Sequence, residues 1–122
     1  MALTIVGKRN LRKALEQKVQ AHPDKTFLIF EDSEEQAHTW SYGQFDQMVN
    51  RTANGLLQLG VKRGDKINLH LTNRPEFLFF WFAIAKIGAA MVPTNPLSPS
   101  GELSHPVRHS ESVMSVTQPD LL

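Results

Sequence analysis

Residues 66–93 read KINLHLTNRPEFLFFWFAIAKIGAAMVP, and this stretch decides the fold. Ile67-Asn68-Leu69-His70-Leu71 alternates apolar and polar side chains, the period-two pattern of a half-buried strand. Asn73-Arg74-Pro75-Glu76 opens a helix, because proline is preorganised for the first helical turn and lacks only a donor that would have no intrahelical partner there. The helix from Phe77 to Ile87 is apolar on all sides and stops at Gly88, and Ala89-Ala90-Met91-Val92 is a short buried strand ended by Pro93. Strand, helix and strand joined by short links require parallel pairing with a right-handed crossover.

Towards the C-terminus the alternation repeats. Ser98-Pro99 starts a further crossover helix running to about His109, with Pro106 a local defect two turns in, and Val113-Met114-Ser115-Val116 forms a third strand. Towards the N-terminus the period changes. Lys62-Arg63-Gly64-Asp65 is a turn. Before it, Phe45, Met48, Val49, Ala53, Leu56 and Leu57 form a single helical stripe that Gly60 ends by adopting a left-handed conformation, with Val61 folding back toward Leu56. Ser41 and Gln44 make a capping box at the start of that helix, and Trp40 and Phe45 a hydrophobic staple. Thr26 to Phe30 and Ala37 to Trp40, separated by Asp32-Ser33-Glu34-Glu35, read as a hairpin. A first helix begins near Asn10, carries Leu11, Ala14, Leu15 and Val19 on one face, and stops at His22-Pro23-Asp24; residues 1–9 have no period and are expected to be a tail. The fold class is therefore α/β: a β-hairpin plus a parallel sheet of three or more strands with crossover helices.

At 122 residues the chain holds one domain at most. Hydrophobic residues at 41% and charged residues at 20% exclude wholesale disorder. A net charge of +1 cannot supply many phosphate contacts, so nucleic-acid binding is not expected. The longest apolar run, Phe77 to Ala85, is about half the ~20 residues that cross a bilayer. No cysteine is present, which removes thiol chemistry and disulfides and suits a reducing, cytoplasmic setting.

Four features imitate function and are better read as structure. His105 and His109 lie at helical spacing with Glu102 upstream, yet Pro106 occupies the position where a zinc helix needs glutamate. Arg63-Gly64-Asp65 is what a tight turn into a strand requires. The aromatic run Phe77, Phe79, Phe80, Trp81 and Phe82 has no interleaved basic residues and belongs to a core. His70 reads as a satisfied strand residue, and no G-x-S-x-G elbow accompanies the serines.

From Asn10 to about Leu121 the chain resembles the N-terminal part of the AMP-forming acyl-CoA synthetases, the adenylate-forming enzymes. Thr39-Trp40-Ser41-Tyr42-Gly43-Gln44-Phe45 is similar to that family's first core motif, L-T-Y-x-E-L, with Trp, Ser, Gln and Phe as departures. Leu59 to Ile67 resembles its L-G-V-x-x-G-D-x-V turn and strand, Asn73-Arg74-Pro75-Glu76-Phe77 its N-x-P-E-F helix start, and Ala85 to Asn95 its A-x-x-K-x-G-A-x-x-V-P-x-N motif. Each motif alone is short; four in the right order are specific. His70-Leu71, Phe79 to Phe82 and Ala85 to Asn95 further resemble the crotonobetaine/carnitine-CoA ligase subtype.

The resemblance implies a ligase that condenses a small carboxylate with ATP to an acyl-adenylate, from which the coenzyme A thiol displaces AMP, with magnesium assisting. It also implies that residues 10–122 are an incomplete subdomain of a large adenylating domain, whose partner is the remainder of that domain and which tends to self-associate without it. The family's phosphate loop, its adenine and magnesium motifs and its catalytic lysine have no counterpart in the sequence. Gly7, Gly43, Gly55, Gly60, Gly64, Gly88 and Gly101 are dispersed, so no stretch cradles a triphosphate. No catalytic, cofactor-binding or metal-binding residue is therefore expected within the chain, and inactivity alone is the expectation. The open-sheet rule points to Thr72-Asn73 and Pro93-Thr94-Asn95, at carboxyl ends of strands, as the places a ligand would approach. The rival reading is a non-enzymatic truncated paralogue that binds a protein partner.

Overall fold

The computed structural model describes residues 10–96 and 109–118. Helix α1 (Leu11–Ala21) is capped by Asn10, whose side chain accepts the Lys13 N–H. Strands β1 (Thr26–Glu31) and β2 (Ala37–Ser41) form an antiparallel hairpin. Its turn is built on Asp32, whose Oδ1 accepts the Glu34 and Gln36 N–H groups at 2.9 and 3.0 Å.

Helix α2 (Tyr42–Gln58) begins at Ser41 as expected, with both capping-box bonds present: Gln44 N–H donates to Ser41 Oγ at 3.1 Å, and Ser41 N–H to Gln44 Oε1 at 3.0 Å. The two staple residues meet on α3: Trp40 and Phe45 each pack against Phe79, with ring centroids 5.7 Å apart in both pairs. The other end is a Schellman motif: Val61 N–H donates to Leu56 O, Gly60 N–H donates to Leu57 O, and Gly60 sits at φ 93°.

Strand β3 (Lys66–His70), helix α3 (Pro75–Lys86), strand β4 (Ala90–Pro93) and strand β5 (Met114–Thr117) complete the described elements. The three strands form a parallel sheet in the order β4-β3-β5. The expectation of a half-buried β3 is corrected. Ile67, Asn68, Leu69 and His70 are all buried because β3 is central, and its polar side chains bond within the sheet instead of reaching water, except that Asn68 Oδ1 is buried without a hydrogen-bond partner. Asn68 Nδ2 donates to Val92 O and Thr94 Oγ1, and His70 Nδ1 meets Thr94 Oγ1 at 2.8 Å. Pro93 belongs to β4, opposite Leu69, rather than ending it, and the third strand starts one residue later than its pattern suggests.

Helix α3 can be apolar all round because it is the hub of the packing, touching α1, α2, β3 and β4. Phe79, Ala83 and Ile84 are buried in a core with Phe45, Val49, Leu56, Ile67 and Leu69. Only Trp81 among its large apolar side chains is exposed, at 40%. Its last turn is tied to the other helices by Lys86, whose Nζ donates to Asp46 Oδ1 at 2.6 Å and Asn50 Oδ1 at 2.8 Å. The expected crossover helix from Ser98, the defect at Pro106 and the tail at 1–9 lie outside the described residues.

Candidate functional site

In the order β4-β3-β5 the chain leaves β3 to build one neighbour and then returns to build the other, so strand order reverses between β3 and β5. Open parallel sheets take ligands at such a switch point, beyond the carboxyl ends of the strands. The structure has a crevice there. It encloses about 680 Å³, within the range of small-molecule sites. Thr72, Asn73 and Arg74 line it from the end of β3, Gln118 from the end of β5, Pro75 and Glu76 from the start of α3, and Phe30, Asp32, Ser33, His38 and Trp40 from the hairpin.

The floor is fixed by one buried side chain. Gln118, 4% exposed, accepts through Oε1 from both the N–H and the hydroxyl of Thr72 at 2.8 Å, which joins the ends of β3 and β5. On the hairpin wall, His38 Nε2 lies 2.9 Å from Asp32 Oδ2. This bond, and the Gln36 and Glu34 N–H groups on the same carboxylate, hold Asp32 below the usual carboxylate range. Arg74, which also lines the crevice, has its Nε 3.8 Å from Glu76 Oε2, a loose and partly exposed pair.

Thr72 and Asn73 are thus where the open-sheet rule placed them. Thr94 is not: it turns to the polar face of the sheet and bonds Asn68 and His70. The imidazole and hydroxyl of His70 and Thr94 have the spacing of a base and a nucleophile, but both are absorbed by the sheet, and the Thr94 hydroxyl lies 3.5 Å from Leu69 O as well. Sequence reasoning missed Trp40, His38, Arg74 and Gln118. Arg74 was read only as part of a helix start, and nothing local tells that the hairpin folds over the end of β3. Arg63-Gly64-Asp65 is a turn as expected, with Gly64 at φ 87° and Asp65 Oδ2 accepting the Lys62 N–H at 2.7 Å. His105 lies outside the described residues.

Gly43, Gly60, Gly64 and Gly88 each spend their N–H inside the fold, on Pro23 O, Leu57 O, Gly88 O and Ala85 O respectively. None of these four donors is left to face a phosphate. Among the described residues no group of three or more His, Asp or Glu side chains is placed to hold a metal ion. No helix among them is long and apolar enough to cross a membrane.

A parallel α/β unit with an attached hairpin and a switch-point crevice belongs to the class of open-sheet folds that receive ligands beyond the carboxyl ends of their strands. Residues 15–121 match the AMP-binding enzyme family, and the chain belongs to that family. It is 42% identical over 115 residues to crotonobetaine/carnitine-CoA ligases of Salmonella paratyphi A and Salmonella typhimurium. Those alignments cover 94% of this chain and 22% of the relatives, so the chain spans about a fifth of their length. Among solved structures, the inhibitor-bound N-terminal domain of FACL13 from Mycobacterium tuberculosis is similar with TM-score 0.82 and 28% identity, over 89% of this chain and 27% of that one. The artificially fused adenylation-PCP di-domain NpsA-ThdA of Klebsiella oxytoca shares the fold with TM-score 0.83 at 23% identity, over 93% of this chain and 20% of that one. The resemblance read from the four motifs is thereby borne out, and these matches favour a ligase segment over a separate interaction module.

Proposed function

We propose that the chain is the N-terminal segment of an AMP-forming acyl-CoA ligase. The observation that carries this reading is the 42% identity to crotonobetaine/carnitine-CoA ligases over nearly the whole chain. In the complete enzyme a carboxylate attacks the α-phosphorus of ATP, pyrophosphate leaves, and the thiol of coenzyme A then displaces AMP from the acyl-adenylate. Magnesium supplies charge neutralisation at the phosphates when bound. The substrate we favour is a small trimethylammonium carboxylate of the crotonobetaine or carnitine kind, in a cytoplasmic setting that a cysteine-free chain suits.

The role of this segment is structural within that reaction. Residues 10–122 form part of the adenylating domain; β3 and β5 set the floor of the switch-point crevice, and none of the segment's side chains performs bond making. Ligand-handling groups come from the remainder of the domain, so the segment alone is inactive.

A chimera tests this. The segment replaces the matched 115 residues of the Salmonella typhimurium ligase, and pyrophosphate release is followed with ATP and crotonobetaine, then with coenzyme A. Activity in the chimera, with none in the isolated chain, is the expected outcome. A well-folded chimera without adenylation would refute the ligase assignment, and micromolar ATP binding by the isolated chain in a calorimeter would refute its inactivity.

A further inference from the structure

The hairpin side of the crevice is an aromatic wall. Phe30 faces His38 and Leu28 faces Trp40 across the ribbon, so the rings of Phe30, His38 and Trp40 share one of its faces, and all three line the crevice. Ile29 and Thr39, which alternate with them, take the other face and are exposed. The rings are held in place by the fold itself. Trp40 stands at 75° to the ring of Phe79 on α3, and His38 lies 6.4 Å from Trp40, centroid to centroid. His38 Nε2–H donates to Asp32 Oδ2 at 2.9 Å, because an ionised carboxylate only accepts.

Among the described residues, Asp32, His38, Arg74 and Glu76 are the charged and titratable groups that line this space. Glu76 stands in the first turn of α3, where it answers both the positive end of the helix and Arg74. Asp32 stays ionised, since His38 and two backbone N–H groups hold its carboxyl below the ordinary range. With His38 neutral, the Asp32 charge is uncompensated and the aromatic wall is electronegative. Both Asp32 oxygens already accept hydrogen bonds within the hairpin. A primary ammonium would compete for those acceptors, whereas a quaternary ammonium donates no hydrogen bond and needs only ring faces and a nearby negative charge.

We propose that this wall receives a quaternary ammonium group, the cationic end of the trimethylammonium carboxylate favoured as substrate, an assignment that rests on the ligase reading. It is the one exception to the structural role of the segment. The methyl groups seat against Trp40 and Phe30, with Asp32 as the counter-charge, and the carboxylate end stays free for chemistry supplied by the remainder of the domain.

Two measurements test the site. In the chimera, crotonobetaine is compared with its carbon analogue, in which a tert-butyl group replaces the trimethylammonium and keeps the shape without the charge. Trp40→Leu raises KM for crotonobetaine about fivefold, while kcat and both constants for the carbon analogue stay within about twofold. Trp40→Phe, which keeps a ring face, recovers most of that loss. Asp32→Asn, which keeps an oxygen for the turn and removes the charge, raises KM for crotonobetaine about threefold and spares the analogue. In the chain by itself, millimolar tetramethylammonium chloride shifts the indole N–H resonance of Trp40 and not that of Trp81, the more exposed of the two indoles. Sodium chloride at the same ionic strength shifts neither.

KM values for the two acids that move together, or do not move at all, overturn the assignment. So does a tetramethylammonium shift at Trp81 that matches the one at Trp40. A chimera that adenylates both acids with no dependence on Trp40 or Asp32 keeps the ligase reading and removes the site. A well-folded chimera without adenylation, alongside a chain that still takes tetramethylammonium at Trp40, does the reverse.

Discussion

Lys86→Met is the most informative single change in the described helices. The Lys86 side chain is 10% exposed and its principal carboxylate partner Asp46 is 18% exposed, so this pair is screened far less than a surface ion pair. Methionine keeps an apolar stem of similar length and removes the ammonium. Asp46 Oδ1 and Asn50 Oδ1 then lose donors at 2.6 and 2.8 Å. Asp46 retains a 3.3 Å bond from Asn50 Nδ2, and Glu16, 4.0 Å from Nζ and 43% exposed, loses almost nothing. A hydrogen bond to a charged group contributes about 1.5–3 kcal/mol, and breaking a fully buried pair costs about 3–5 kcal/mol. Because water can reach Asn50 and part of Asp46, the loss here is about 2 kcal/mol. For a chain of this size that lowers the melting temperature by about 8 °C. Urea unfolding of Lys86→Met, Asp46→Asn and the double variant measures the cycle, with an expected coupling of about 1 kcal/mol. Arg12→Ala is the exposed comparison, because its pair with Glu16 is 55% and 43% exposed and its 3.3 Å bond to Lys86 O lies at the surface; it should cost less than about 1 kcal/mol. A neutral Lys86→Met, or single effects that simply add, would refute the argument that this lysine clamps α3 to α2.

Three further predictions concern single contacts. Ser41→Ala removes the acceptor for the Gln44 N–H and should cost about 1 kcal/mol in denaturant melts, with an unchanged midpoint contradicting the capping account. Gly88→Ala places a methyl 2.9 Å from Arg63 Cγ at a residue with φ 77°, so circular-dichroism melts should show a loss of about 1–2 kcal/mol. Asp32 sits below its ordinary value of 3.8 chiefly through His38. The depressed carboxyl contributes stability that is present above the unfolded value and is lost as pH falls through the folded one. Asp32→Asn should therefore flatten the acid limb of the stability profile, and an unaltered limb would show that the hairpin turn does not depend on that charge.

The sequence by itself determined what is local. The capping box at Ser41, the left-handed Gly60, the turn at Gly64, the helix stop at Gly88, the proline at the first turn of α3 and the period-two runs all encode short-range backbone geometry, and the described elements appear within one or two residues of where those signals place them. Parallel pairing was legible too, because short links around a helix leave no other arrangement. Tertiary structure alone decided the rest. Alternation in β3 cannot tell a half-buried strand from a central one whose Asn68 and His70 find partners on Thr94, since that depends on a strand paired on each side. The crevice was half visible: Thr72 and Asn73 follow from a rule about strand ends, whereas Trp40, His38 and Gln118 arrive from elements 32 to 46 positions away along the chain. Such contacts leave no periodic trace, because they are fixed by how the hairpin and α2 pack on α3 once the core forms.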